Sequence, residues 1–124
     1  KYSAAISSFC DSVKKSRSPI IYGDGEQYRD FCYVDNIVYA NILAATHEEA
    51  FDGEVFNVGT GKTHSINSLC DAMNTLPPIY SKKRPGDVSC SHADISKISS
   101  LLGYKPIIDF KSGIEKTLQF YLEE

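Results

Sequence analysis

Residues 20–41 read IIYGDGEQYRDFCYVDNIVYAN, and the organisation of the chain follows from this stretch. Ile20, Ile21 and Tyr22 are β-branched or aromatic, the composition of a short strand. Gly23 and Gly25 flank Asp24, so the strand runs into a turn whose backbone reaches positive φ without steric cost. Arg29 follows the turn. The short apolar run Phe31-Cys32-Tyr33-Val34 comes next, and Asp35 opens a helix as its N-cap, accepting from exposed first-turn amides. Val38, Ile42 and Ala45 are the expected buried face of that helix, which ends near His47. A guanidinium on a loop between strand and helix presents parallel N–H groups to a carboxylate or a phosphate. Arg29 is therefore either a ligand-binding residue or the partner of Asp30 in a surface ion pair, and its own position does not separate the two.

On the N-terminal side, Ile6, Phe9, Cys10 and Val13 recur at helical spacing and predict an amphipathic helix over residues 3–16, ended by Ser18-Pro19. On the C-terminal side, Asp52-Gly53 is a turn and residues 54–58 (EVFNV) read as a strand. Gly59-Thr60-Gly61-Lys62-Thr63 looks like the end of a P-loop. That motif needs a glycine where this chain has Phe56, so the two glycines shape a tight turn instead. Ser65 caps a helix with Ile66, Leu69, Cys70 and Met73 inward, stopped by Pro77-Pro78, and Ile79-Tyr80 is one more short strand. Asp94 caps a helix with Ile95, Ile98, Leu101 and Leu102 inward, closed by Gly103. Asp109 starts the last helix, with Phe110, Ile114, Leu118 and Tyr121 inward. The expected fold is one mixed α/β domain over residues 1–124, an α+β lobe in which helices cover a small sheet.

Arg84-Pro85-Gly86-Asp87 is the second informative stretch. Proline fixes the backbone after the arginine and glycine turns it, so Arg84 and Asp87 share one face of a rigid loop. The pair either offers an arginine to phosphate and a carboxylate to hydroxyls, or ties the loop down internally.

Composition narrows the class. The 124 residues are 42% hydrophobic and 23% charged, with a net charge of −3, as in a globular domain. No apolar run approaches the ~20 residues of a bilayer span, and the polar start is not a signal peptide. These features predict a soluble, cytoplasmic protein with no membrane partner. Basic residues cluster only at Lys82-Lys83-Arg84, which argues against a nucleic-acid surface. Cys10, Cys32, Cys70 and Cys90 form no C-x-x-C pair and read as reduced thiols; His47, His64 and His92 are too dispersed for a metal motif. The chain starts without methionine and almost directly with a helical pattern, so sequence upstream is expected.

Several catalytic patterns are missing. Gly23-x-Gly25 has Tyr28 where the third glycine of a dinucleotide fingerprint belongs, and no tyrosine has a lysine four residues on. There is no serine elbow and no H-E-x-x-H. The residues by themselves describe a chain that holds a ligand.

The runs YGDGEQYRDFCYVDNIVYANILAAT, EVFNVGTGKTHSINSL, RPGDVSCSHADISKISSLLGYKP and FKSGIEKTLQFY, taken in order, resemble the C-terminal part of the NAD-dependent epimerase/dehydratase family, the extended short-chain dehydrogenases. The likeness covers nearly the whole chain and is strongest to UDP-N-acetylglucosamine and UDP-glucose 4-epimerases. It implies that residues 1–124 are the substrate-binding domain, and that a separate N-terminal Rossmann domain carries NAD, the glycine fingerprint and the catalytic tyrosine–lysine pair. The whole enzyme, expected to be a homodimer, would oxidise carbon 4 of a UDP-sugar with NAD and return the hydride to the opposite face; the fragment alone would bind no cofactor and be inactive. A dehydratase, a decarboxylase, a glucuronate epimerase or a stand-alone binding module would share the same lobe.

The resemblance also assigns residues. Tyr22 and the backbone near Ile20 would lie along the uracil with Ile6 on its other side, Arg29 and Arg84 would clamp the diphosphate, and Asp87 would bind the ribose. Ser91 falls where the 4-epimerases gate substrate size, and a serine there leaves room for an N-acetyl group. Ser7, Ser8 and Ser89 depart from the family pattern, which usually has Pro-Lys at the first two and often arginine at the third. The segment between Met73 and Arg84 is also a few residues short.

Overall fold

The structure is a computed structural model, and residues 4–123 are described. Ten elements follow one another: α1 (Ala5–Lys14), β1 (Ile20–Tyr22), β2 (Tyr28–Arg29), α2 (Val34–Ala45), β3 (His64–Ser65), α3 (Ile66–Ala72), β4 (Ile79–Ser81), β5 (Cys90–Ser91), α4 (Ser96–Leu102) and α5 (Phe110–Glu123). This is a mixed α/β fold, as the pattern predicts. Ser3, the first residue of the expected N-terminal helix, lies outside the described residues.

The sheets are small and come in two pieces. β1 and β4 pair in parallel, with Ile20 opposite Ile79 and Tyr22 opposite Ser81. β2 is the centre of a second sheet, antiparallel to β3 and parallel to β5, with Arg29 opposite both His64 and Ser91. Helices supply most of the buried surface. Phe9 and Cys10 from α1, Ile21 from β1, Leu69 and Cys70 from α3 and Ile114 from α5 form the main core. Ala40, Ile98 and Tyr104 form a second cluster, against which Phe56 and Val58 pack.

Local chemistry explains the helix ends. Ser65 Oγ accepts from the Ser68 amide, the expected cap of α3. Asp109 Oδ1 accepts from the Ser112 amide at the start of α5, and Gly103 closes α4 in the left-handed conformation. Asp94 acts slightly differently, since its Oδ1 binds the amide and hydroxyl of Ser96 while Ile95 occupies the capping position.

Four expectations are corrected. The α2 helix begins at Val34 after Tyr33, so Asp35 lies inside the first turn, where its charge still suits the helix dipole. Val38 and Ile42 are half exposed and Ala45 is exposed, whereas Asn36 and Ala40 are buried. The helix is apolar nearly all round, so periodicity did not mark its inner face. Asn36 settles the matter by bonding inward, donating to the Ile108 carbonyl and accepting from the Ile107 and Ile108 amides. Leu101, expected inward, is half exposed. Residues 54–58 pair with no strand among the described residues.

Candidate functional site

A cleft of about 600 Å³ opens where the two sheets and the 84–87 turn meet. Its walls include Ile20 and Tyr22 from β1, Arg29 at the end of β2, Phe31 just beyond it, and Arg84 and Asp87 from the turn. The turn is closed by the Asp87 amide donating to the Arg84 carbonyl at 3.3 Å. Pro85 followed by Gly86 at φ +78° is the order that a type II turn requires, and it sets both side chains beside the cleft.

Each arginine is held before any ligand arrives. Arg29 Nη1 donates to the Tyr28 carbonyl at 2.7 Å and Nη2 to Asp87 Oδ1 at 2.8 Å. The guanidinium of Arg84 lies over the Tyr22 ring, 3.6 Å from its centroid, a cation–π arrangement that orients the planar group. A fixed guanidinium loses less entropy on gripping an anion than a mobile one does. Gln27, also on the cleft wall, donates from Nε2 to the Tyr22 carbonyl at 2.8 Å and secures the strand end that carries the ring.

Five residues singled out from the sequence thus share one cleft: Ile20, Tyr22, Arg29, Arg84 and Asp87. Ile6 lines a separate apolar cavity of about 220 Å³ between residues 31–34 and α5, where Phe31 and Phe110 stand 5.7 Å apart. Ser91 is exposed on β5, beside Arg29 in the parallel register and outside the cleft lining. Both candidate ion pairs are partnered differently from the local reading. Arg29 binds Asp87 rather than Asp30, and Asp87 answers Arg29 rather than Arg84 as its salt-bridge partner. The pairing joins the end of β2 to the 84–87 turn and is invisible to local spacing.

Asp30 has another task. Its carboxylate accepts from the Thr60 amide and hydroxyl and from the Gly61 amide, all within 3.1 Å. Those amides are the donors that a phosphate cradle at the Gly59–Gly61 turn would need, and a carboxylate already holds them. The Gly23–Gly25 turn is filled as well, since a Cβ on Gly25 would lie 2.0 Å from Asn67 Oδ1. Neither glycine turn is open to the pyrophosphate of a dinucleotide. Gln27, Asp30 and Phe31 also line the cleft and are not among the site residues expected from the sequence; their placement directly around Arg29 is the available signal.

Burial raises Cys10, Cys32 and Cys70 above the ordinary thiol value, which disfavours the thiolate. No helix among the described residues is long and apolar enough to cross a membrane.

The NAD dependent epimerase/dehydratase family matches residues 1–59. A Methanocaldococcus jannaschii protein provisionally named as a UDP-glucose 4-epimerase is 42% identical over 120 residues, covering 93% of this chain and 38% of that protein. The chain belongs to the NAD-dependent epimerase/dehydratase family. Within it, a dTDP-glucose 4,6-dehydratase of Salmonella typhimurium is 35% identical over 116 residues, covering 82% of this chain and 31% of the dehydratase. The solved UDP-N-acetylglucosamine 4-epimerase of Methanobrevibacter ruminantium, in complex with UDP-N-acetylmuramic acid, superposes with a TM-score of 0.85 at 37% identity. That likeness covers 98% of this chain and 40% of the epimerase. The chain therefore spans about two fifths or less of the length of these family members. Both epimerases and dehydratases are among its relatives, so membership of the family leaves the reaction open.

Proposed function

We propose that this chain is the nucleotide-sugar-binding lobe of an NAD-dependent 4-epimerase acting on UDP-N-acetylglucosamine and UDP-glucose, and that it anchors the UDP of the substrate. The observation that carries the reading is the convergence of Arg29, Arg84, Asp87 and Tyr22 on one cleft. Two guanidinium groups suit a diphosphate, each charge-assisted contact contributing ~1.5–3 kcal/mol where water is partly excluded. Asp87 keeps a carboxylate oxygen for a ribose hydroxyl while Oδ1 accepts from Arg29. Ile20 and Tyr22 offer an apolar and aromatic edge for the base, and Ile6, one cavity away, reaches it only by rearrangement of the wall around Phe31.

An anchor remote from the reacting carbon lets the sugar reorient while the nucleotide stays fixed, so binding energy is used for positioning. NAD and the residues that move hydride and proton belong, in this reading, to a further lobe of the whole protein. Ser91, small and exposed beside Arg29, leaves room for an N-acetyl group. The competing reading is a dehydratase built on the same lobe, favoured by the 35% identity to a dTDP-glucose 4,6-dehydratase.

Product analysis of the complete protein separates the two. Interconversion of UDP-N-acetylglucosamine with its 4-epimer, and of UDP-glucose with its own, is the expected outcome. A 4-keto-6-deoxy product overturns the epimerase reading, and exclusive use of UDP-glucose overturns the part assigned to Ser91.

A further inference from the structure

The two arginines of the cleft belong to different sheets. Arg84 follows β4 of the two-stranded sheet and lies over Tyr22 of β1, whereas Arg29 ends β2 of the three-stranded one. Residues 23–27 join β1 to β2, and within them Gly23 and Gly25 have φ of +95° and +80°. Two glycines flanking a single residue give this link little stiffness of its own. On the cleft side, the contacts that hold the halves together are Arg29 with Asp87 and Arg84 with Tyr22. Those are the groups that would grip a ligand, so a brace independent of them has to come from elsewhere.

Asn67, the second residue of α3 and outside the cleft lining, is placed to supply it. Its Nδ2 donates to the Asp24 carbonyl at 3.1 Å and to Glu26 Oε1 at 2.6 Å. Its Oδ1 accepts from the Tyr80 hydroxyl at 3.0 Å, and its backbone amide donates to the Gly25 carbonyl at 3.1 Å. Gly25 leaves the space for this, since a Cβ there would stand 2.0 Å from Asn67 Oδ1. A carboxamide offers donors and an acceptor from one planar group, and Asn67 uses both kinds. One side chain thus ties the glycine turn to α3, which follows β3 of the three-stranded sheet, and to β4 of the two-stranded one.

We propose that Asn67 is a positioning residue for nucleotide binding: without touching the ligand, it holds the two sheets at the spacing that lets Arg29 and Arg84 reach one diphosphate. Tyr80 is its partner in this role, as the link to β4. The inference rests on the reading that the cleft holds UDP. The hydrogen bonds of the Asn67 side chain are exposed, so their loss is expected in affinity more than in folding.

Calorimetry with UDP on the protein expressed from its complete reading frame, beside a urea titration of each variant, tests the proposal. Asn67→Ala should weaken UDP binding about 3- to 10-fold. Tyr80→Phe removes a single hydroxyl, keeps the test readable whatever Asn67→Ala does to folding, and should weaken binding about 2- to 3-fold. Neither loss should appear in an Arg29→Ala background, because the spacing of the sheets matters only when both guanidinium groups grip the diphosphate. A merely structural asparagine would lower the denaturation midpoint and leave affinity alone. Unchanged UDP affinity in either variant, or the same loss with and without Arg29, would overturn the inference. Native protein that binds UDP while both variants bind it equally well sinks this inference alone. Native protein that does not bind UDP sinks the anchoring function and this inference with it.

Discussion

Arg29 Nη2 and Asp87 Oδ1 stand 2.8 Å apart and join the end of β2 to a turn 58 residues away. Both side chains are about one quarter exposed, so the pair contributes no more than ~1 kcal/mol to folding. Arg29→Ala should therefore leave the denaturation midpoint nearly unchanged while weakening UDP binding about 10- to 100-fold, the value of one charge-assisted phosphate contact. Calorimetry beside a urea titration checks both halves.

The guanidinium of Arg84 lies over the Tyr22 ring. Arg84→Lys retains a positive charge but loses the planar face that stacks on Tyr22. The expected result is about a twofold to fivefold loss of UDP affinity, the worth of an exposed cation–π contact, with Tyr22→Leu giving a loss of at least the same size.

Gly25 and Gly86 make a matched pair of probes. Both have positive φ, but a Cβ on Gly25 meets Asn67 at 2.0 Å whereas one on Gly86 meets nothing within 4 Å. Gly86→Ala should cost only the ~1–2 kcal/mol of a left-handed side-chain-bearing residue. Gly25→Ala should cost more, and adding Asn67→Ala should bring it down to the level of Gly86→Ala. Equal destabilisation by the two single substitutions would show that the packing around Gly25 yields freely.

Asn36 is fully buried and makes three hydrogen bonds to the backbone of residues 107 and 108. Asn36→Leu leaves two amides and a carbonyl without partners, which should destabilise the protein by at least ~3 kcal/mol in chemical denaturation. Asn36→Asp keeps acceptors for the two amides and loses the donor to Ile108, so a smaller loss is expected when both are measured at neutral pH.

Tyr104 donates its hydroxyl to the Gly59 carbonyl at 2.8 Å and is wholly buried, which pushes its phenol from 10.0 up to about 12. Loss of hydration on burial is the main cause, with Cys32 and Asp30 adding to it. The folded state thus favours the protonated phenol. This contribution is complete below pH 10.0 and is lost as the pH rises towards about 12. Stability measured from pH 9 to 12 should fall more steeply in the native protein than in Tyr104→Phe.

Much of this architecture is legible in the residues themselves. Phe9 and Cys10 mark the inner face of α1, Ser65 announces α3, and the Pro85-Gly86 pair announces the turn that brings Arg84 to the cleft. The failures have physical causes. Helical periodicity needs a polar side for contrast, and α2 lacks one, so Val38 and Ile42 looked buried. Local spacing points only to sequence neighbours, but a folded chain pairs whatever it brings together: Arg29 pairs with Asp87, and Asp30 with Thr60 and Gly61. Residues 54–58 have the composition of a strand; hydrogen bonding requires a neighbour that composition does not supply.

The carboxylate of Asp30 carries one more consequence. Three successive positions serve unlike ends: position 29 lines the cleft and pairs with Asp87, position 30 braces the Gly59–Gly61 bend, and position 31 forms a wall between two hollows. Engineering for a new nucleotide preference therefore has a narrow track here. The outer two letters of Arg-Asp-Phe are open to redesign, whereas altering the middle one would loosen the frame on which any altered specificity must stand.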